Sequence, residues 1–332
     1  MNTMILSGEQ AIALGAEIIR GGGVVAFPTE TVYGLGANAF DASAVDKIYE
    51  AKGRPSDNPL IVHIADASQL DGLVTDVPQS ARLIADAFMP GPITVILPKS
   101  DAVPDRVSAG LKTVGVRMPS HPVARQFIRA CGVPIAAPSA NKSKHVSPTS
   151  AQHVKSDLDG AIPLIIDGGE CEVGIESTIL DLSVAAPTIL RPGAITAEMI
   201  AKVLGGVETF DGKVVVAKAP GMKYTHYAPK CGAVVAEDAQ AAAQEYARRE
   251  GRGERCVIVA RESDLVGLDG MRTLSLGTTD EEVCRRVYGA LRYAETRYDG
   301  IIFVDLGAKG VCGSVMNRVN KSAGGNVVRR KI

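Results

Sequence analysis

Short apolar runs alternate with helix-period segments along almost the whole chain, and the alternation breaks once, between Gly205 and Lys230. Runs such as Val24-Val25-Ala26-Phe27, each followed by an amphipathic stretch, are the pattern of strands covered by helices, so the fold class is α/β. The break sets the expected organisation: a large domain over 1–206, a linker over 207–230 and a small domain over 231–332. In the large domain a helix is expected over 7–20, capped by Ser7 and stopped by Gly21-Gly22-Gly23, then a buried strand over 24–27. A second helix over 42–52 starts at the plausible cap Asp41. Further strands are expected at 60–64, 93–97, 113–117, 133–137, 164–167, 177–182 and 188–191, with helices at 79–88, 121–131, 149–158 and 196–204. Several strands follow one another with loops between them, which predicts a twisted mixed sheet rather than a purely parallel one. Beyond the linker, strands at 233–235, 256–260, 273–276 and 301–304 alternate with helices at 239–249, 281–297 and 311–321. That is the pattern of a small doubly wound, Rossmann-like α/β domain.

Composition narrows the function classes. The 332 residues are 46% hydrophobic, with 36 Lys+Arg against 37 Asp+Glu, which excludes disorder and gives no overall charge signal for nucleic acid or membrane. No apolar run approaches the ~18–20 residues of a membrane-spanning helix. The start Met1-Asn2-Thr3-Met4 lacks a basic region before an apolar one, so no secretion leader is expected. Six cysteines stand singly without C-x-x-C, which argues against zinc or thioredoxin spacing and for a reducing, cytoplasmic setting. Charge is uneven: residues 1–206 carry 16 Lys+Arg and 21 Asp+Glu, the remainder 20 and 16. The basic run Val327-Val328-Arg329-Arg330-Lys331 reads as a solvated tail or as a contact for a phosphate-rich partner such as tRNA.

Three polar clusters follow strands or helices, where α/β proteins bind ligands. The first, Pro28-Thr29-Glu30-Thr31-Val32-Tyr33-Gly34-Leu35-Gly36, offers hydroxyls, a carboxylate and a phenol for a small polar molecule, or is simply a strand-ending turn. The second, Lys52-Gly53-Arg54-Pro55-Ser56-Asp57-Asn58-Pro59, puts two cations on rigid backbone, either to complement a helix dipole or to clamp polyphosphate. The third, Pro138-Ser139-Ala140-Asn141-Lys142-Ser143-Lys144-His145-Val146-Ser147-Pro148-Thr149, brings hydroxyls, an amide and ammonium groups toward a helix start, a natural anion site. His63 lies in an apolar strand, Arg117 ends a strand and suits a carboxylate, and Glu176-Ser177-Thr178 and Arg191 add polar groups at strand edges. No P-loop, G-x-G-x-x-G, Ser/His/Asp set or H-x-x-x-H spacing appears. A cavity rich in Lys, Arg, Ser, Thr and Asn without a nucleophile suits phosphoryl or nucleotidyl transfer, in which positioning and charge neutralisation do most of the work.

These stretches, with Pro90-Gly91-Pro92-Ile93-Thr94, Val116-Arg117-Met118-Pro119 and the linker Pro220-Gly221-Met222-Lys223-Tyr224-Thr225-His226-Tyr227, closely resemble the YrdC-like threonylcarbamoyl-AMP synthase family in its long, two-domain form. The resemblance covers essentially the whole chain. It implies a nucleotidyltransferase that makes threonylcarbamoyl-AMP and pyrophosphate from L-threonine, bicarbonate or CO2 and ATP, with Mg²⁺ accompanying the ATP. The product feeds N6-threonylcarbamoylation of tRNA position 37 by a separate transferase. By similarity, Thr31, His63, Arg117, Ala137 and Ser177 contact threonine, and Lys52, Arg54, Asn58, Thr113, Ser139, Asn141, Ser147 and Arg191 contact ATP. Lys52 and Arg54 are the expected charge-neutralising pair, and the linker tyrosines, Tyr224 first, are expected to close over the nucleotide. Neither metal ligands nor a general base is implied. Lys144 departs from the pattern, standing where the family's loop often has Gly. The competing reading from the residues is an RNA-binding module that uses the same basic cavity without ATP turnover. The acidic first domain and the 4% aromatic content weigh against it.

Overall fold

The computed structural model describes residues 2–210 and 228–330, in two compact units: 2–143 with 147–210, and 144–146 with 228–330. The first unit is built on an eleven-stranded sheet. Its spatial order is Met4–Leu6, Leu164–Ile166, Val25–Phe27, Gly34–Asn38, Ile135–Ala137, Ile61–His63, Thr113–Arg117, Ile93–Pro98, Thr178–Asp181, Thr188–Arg191 and Glu208–Thr209. Parallel and antiparallel pairs are mixed, as the helix-free connections predict.

Register sorts the strand side chains onto two faces. Opposed residues share a face, so Val62, Val116, Val95 and Leu180 line up across four strands and enter the main core. On the other face Val25, Phe27, Ile135, Ala137, Leu164 and Ile166 form a second core with helices Gly8–Arg20 and Pro122–Cys131. Phe27 and Phe127 are fully buried there, with ring centroids 5.4 Å apart, each contributing roughly 1.5–3 kcal/mol by burial.

Several elements differ from the sequence reading. Ser7 occupies the N-cap position of the first helix but makes no side-chain cap, whereas Asp41 accepts from the Ser43 and Ala44 amides as expected. The helix expected from 149 begins at Ala151, and Ser150 caps it by accepting from the His153 amide. Gly34–Asn38, read as part of a turn, is a strand antiparallel to Val25–Phe27. A Cβ on Gly36 would lie 2.5 Å from Ile135 Cγ2 and 2.9 Å from Phe27 Cε1, so close packing with neighbouring side chains is what glycine permits here. The short strands Met4–Leu6, Glu208–Thr209 and Val327–Val328 carry too few residues to show a period.

The second unit is a five-stranded, all-parallel sheet ordered Thr273–Ser275, Cys256–Ala260, Gly300–Val304, Gly232–Ala236 and Val327–Val328. Helix Ala239–Glu250 packs on Val234, Ala236, Ile258 and Ile302. The intervening residues Val235, Val257, Val259, Ile301 and Phe303 are also buried, and helices Asp280–Glu295 and Gly310–Ser322 pack on each other and on the strands. Strands buried on both faces explain the continuous apolar runs Cys256-Val257-Ile258-Val259-Ala260 and Ile301-Ile302-Phe303-Val304. Among the described residues no helix is long and apolar enough to cross a membrane, and the six cysteines are free thiols.

Candidate active site

The strand-borne residues singled out from sequence fall on one face of the large sheet. His63 opposes Arg117 and Ile135, Ala137 opposes Ile61, Thr113 lies two and four residues from Gly115 and Arg117 on the same strand, and Arg191 opposes Ile179. This is the face that, farther along the sheet, packs on the two helices of the second core. Here it carries instead a small apolar cluster of Ile61, Ile96 and Ile179 and a shallow cleft bordered by Thr94, Ser108, Thr113 and Gly115.

Backbone hydrogen bonds zip the polar clusters together. Tyr33 N donates to Pro148 O (2.9 Å), Leu35 N to Pro138 O (2.9 Å), Ala140 N to Tyr33 O (2.8 Å), and Val173 N to Glu30 O (2.7 Å). The Thr29 hydroxyl donates to Val32 O at 2.6 Å and lies 2.9 Å from the Thr31 hydroxyl, which holds buried Thr31 in a tight turn at the end of Val25–Phe27.

Lys52 is the last residue of helix Ala42–Lys52. Gly53 stops that helix at φ +58°, a left-handed conformation that costs a side-chain-bearing residue about 1–2 kcal/mol. The Lys52 ammonium is buried and donates to the backbone oxygens of Ser139 and Asn141, with Asn141 Oδ1 at 3.4 Å, while Ser143 N donates back to Lys52 O at 2.8 Å. Lys52 therefore builds the loop that carries Ser139 and Asn141. Arg54 is half-buried and donates to the Asn58 and Pro59 carbonyls at 3.3 and 3.2 Å, bracing its own turn. Asn58 is buried, and its side-chain oxygen has no hydrogen-bond partner.

At the far side of the face, the Ser177 hydroxyl meets that of Thr94 at 2.8 Å. Arg191 donates through Nε to Ser177 O and through Nη2 to Ser177 Oγ, both at 3.1 Å. The Ser147 hydroxyl donates to Glu176 Oε1 at 2.6 Å. Thr94 adjoins these groups without a ligand role in the sequence reading, and Glu30 and Glu176 appear there only within their polar clusters, with no ligand assigned. The alternation Ile93-Thr94-Val95-Ile96 puts Thr94 opposite the core residues and is the signal that could have found it. Tyr224 and residues 211–227 of the linker lie outside the described residues.

His63 is buried, packs edge-on against Phe27 with centroids 5.7 Å apart, and faces the Ile61 carbonyl through Nδ1 at 3.2 Å. Burial, reinforced by the Arg117 guanidinium, pushes its pKa down to about 3, so the ring is neutral in the folded protein. An unfolded histidine protonates near pH 6.5 and the folded one near 3, so this residue's contribution to stability is complete above 6.5 and is lost as the pH falls toward 3. Denaturant unfolding should show His63→Asn losing about 2 kcal/mol less than the parent protein between pH 7.5 and 5. Equal losses in the two proteins would contradict the neutral assignment.

Lys144 adopts φ +75°, the left-handed region that favours glycine. Lys144→Gly is expected to raise stability by up to about 1 kcal/mol, the relief of strain exceeding the added chain entropy. A fall in the denaturation midpoint would contradict this.

Buried cations and hydroxyls on one sheet face, beside loops carrying buried amides, mark a polar ligand-binding α/β protein, and comparison with known families resolves which one. Residues 17–193 match the Sua5, YciO and YrdC family model, described as "Telomere recombination", and residues 195–324 match one described as "Threonylcarbamoyl-AMP synthase, C-terminal domain". The chain belongs to the threonylcarbamoyl-AMP synthase family, in its two-domain Sua5 form. It is 44% identical to the threonylcarbamoyl-AMP synthase of Pyrococcus abyssi, covering 97% of this chain and 96% of that protein. It is 47% identical to the enzyme of that name from Bacillus subtilis, covering 97% and 95%. The crystal structure of P. abyssi Sua5 complexed with L-threonine superposes with a TM-score of 0.94 at 42% identity, over 100% of both chains. Among the described residues no group of His, Cys, Asp or Glu side chains has the arrangement of a metal site.

Proposed function

We propose that this chain is a nucleotidyltransferase that condenses L-threonine, bicarbonate or CO2 and ATP into threonylcarbamoyl-AMP and pyrophosphate. The observation that carries the reading is the full-length likeness to the L-threonine-bound P. abyssi structure, in a chain whose own buried cations and hydroxyls gather on one sheet face. The threonine N-carboxylate attacks the α-phosphorus of ATP in line and pyrophosphate leaves. No protein nucleophile is required, which fits a site of positioning groups.

In this reading Arg117 takes the threonine carboxylate, while Thr31, Ser177, neutral His63 and the Ala137 backbone surround the rest of the amino acid. Lys52, Arg54, Asn58, Thr113, Ser139, Asn141, Ser147 and Arg191 hold ATP. Asn58 Oδ1 supports this, being a buried acceptor with nothing bonded to it. Magnesium arrives as MgATP, with the nucleotide's phosphates as its ligands. The labile product passes to a separate tRNA-modifying transferase in the cytoplasm.

The test is pyrophosphate release by the purified chain with MgATP and bicarbonate, comparing L-threonine, L-serine and no amino acid. Threonine-dependent release, with a threonylcarbamoyl adenylate detected by mass spectrometry, is the expected result. No release from folded protein would overturn the reading.

A further inference from the structure

Glu30 stands in the turn after strand Val25–Phe27, fixed by the Val173 amide on its carbonyl, and its side chain is 3% exposed. Arg117, at the end of strand Thr113–Arg117, is 5% exposed and brings Nη2 to 2.8 Å from Glu30 Oε1. The two charges are in contact. Both carboxylate oxygens of Glu30, and Nε and Nη2 of Arg117, are buried without a hydrogen-bond partner.

Burying an ion pair costs several kcal/mol per ion and is offset only when the remaining donors and acceptors are also satisfied. Buried polar groups are otherwise almost always bonded, so Glu30 Oε2 and Arg117 Nε, which lack even the ion-pair contact that Oε1 and Nη2 share, mark a place where a ligand completes the arrangement. The complement of a carboxylate beside a guanidinium is a molecule with an ammonium and a carboxylate one carbon apart. That is the α-amino acid zwitterion. His63, the histidine that opposes Arg117 on the neighbouring strand, is neutral and adds no competing charge.

We propose that Glu30 binds the α-ammonium of the amino-acid substrate while Arg117 binds its carboxylate, so that the pair reads the zwitterion as one unit. This rests on the threonine reading above and adds to it a residue that selects for the amino group. A site built to bond a polar group rejects analogues that lack it, because its own buried atoms are then left unpaired. Glu30 acts on the substrate directly, not only by orienting Arg117, and the two roles have different signatures.

The experiment is calorimetric titration of the full chain with L-threonine and with its 2-hydroxy analogue, in which a hydroxyl replaces the ammonium. The parent protein is expected to prefer L-threonine by at least about 100-fold. Glu30→Gln should weaken L-threonine by about 10- to 100-fold, leave the 2-hydroxy analogue nearly unchanged, and leave ATP affinity within about twofold. Glu30→Asp, which keeps the charge, should recover part of the preference. Parent protein that binds both ligands equally overturns the proposal without recourse to any variant. So does a Gln variant that loses both ligands by the same factor, which would assign Glu30 to holding Arg117 alone. Parent protein that releases no pyrophosphate with threonine overturns the synthase reading itself. An active parent with an unchanged Gln variant overturns only the role of Glu30.

Discussion

Lys52→Ala is expected to lower threonine-dependent pyrophosphate release by about 10³-fold or more, with a clear loss of thermal stability. Two effects combine. In the proposed reaction the substitution removes a buried cation from the loop that would hold the ATP phosphates, and one lost donor of that kind costs roughly 2.7–4 kcal/mol of transition-state stabilisation. It also strips the donor from the backbone oxygens of Ser139 and Asn141, and each buried acceptor left unpaired costs about 1–3 kcal/mol. Lys52→Met keeps the stem and isolates the charge. It should remain closer to the parent in melting temperature while still losing most activity. Steady-state assays at saturating ATP, with thermal melts on the same samples, separate the two contributions. Activity within tenfold of the parent in either variant would remove Lys52 from the catalytic set.

Arg117→Ala is expected to destabilise the protein by about 3–5 kcal/mol and to abolish measurable threonine affinity. The guanidinium is the charge partner of Glu30, whose side chain is 3% exposed, so the variant leaves a carboxylate buried without its counter-ion. The double substitution Glu30→Gln with Arg117→Met should be more stable than Arg117→Met alone, because no unpaired charge then remains. Urea unfolding of the parent, the two single variants and the double variant gives this coupling directly. A double variant less stable than Arg117→Met alone, or an Arg117→Ala variant within 1 kcal/mol of the parent, would show that the two charges do not stabilise one another.

Much of this architecture could be read from residue order, and the misses have physical causes. Strand Thr113–Arg117 was legible because Val114 and Val116 alternate with Thr113, Gly115 and Arg117, which separates the core face from the site face. Helix Ala42–Lys52 was legible because Asp41 caps it and Gly53 ends it. Strand Gly34–Asn38 was not, since two glycines in a strand depress its propensity, and the reason they are tolerated is the proximity of Ile135 and Phe27, which are remote or across a hairpin. The candidate site divides the same way. Lys52, Arg54, Ser139 and Asn141 stood out as dense local clusters. Glu30 was visible only as one polar residue among several, because what distinguishes it is Arg117, far along the chain, and no local pattern reports such a partner. Lys144 stands out only through the family resemblance, as a departure where Gly is common, and its positive φ shows why glycine suits the position.

The order of strands in the large sheet also sets a timetable for synthesis. Met4–Leu6 pairs with Leu164–Ile166, and one edge of Val25–Phe27 pairs with that same strand. At about 5–20 residues per second, a ribosome delivers Leu164–Ile166 roughly 8–30 s after Met4–Leu6. Through that interval both earlier segments present unpaired backbone to the cell. The first strand therefore joins the sheet only after its one neighbour, Leu164–Ile166, has been made. Two strand edges left open for that long are sites for pairing between chains, and overexpression at low temperature, with fewer chains in that state at once, is expected to raise the soluble yield.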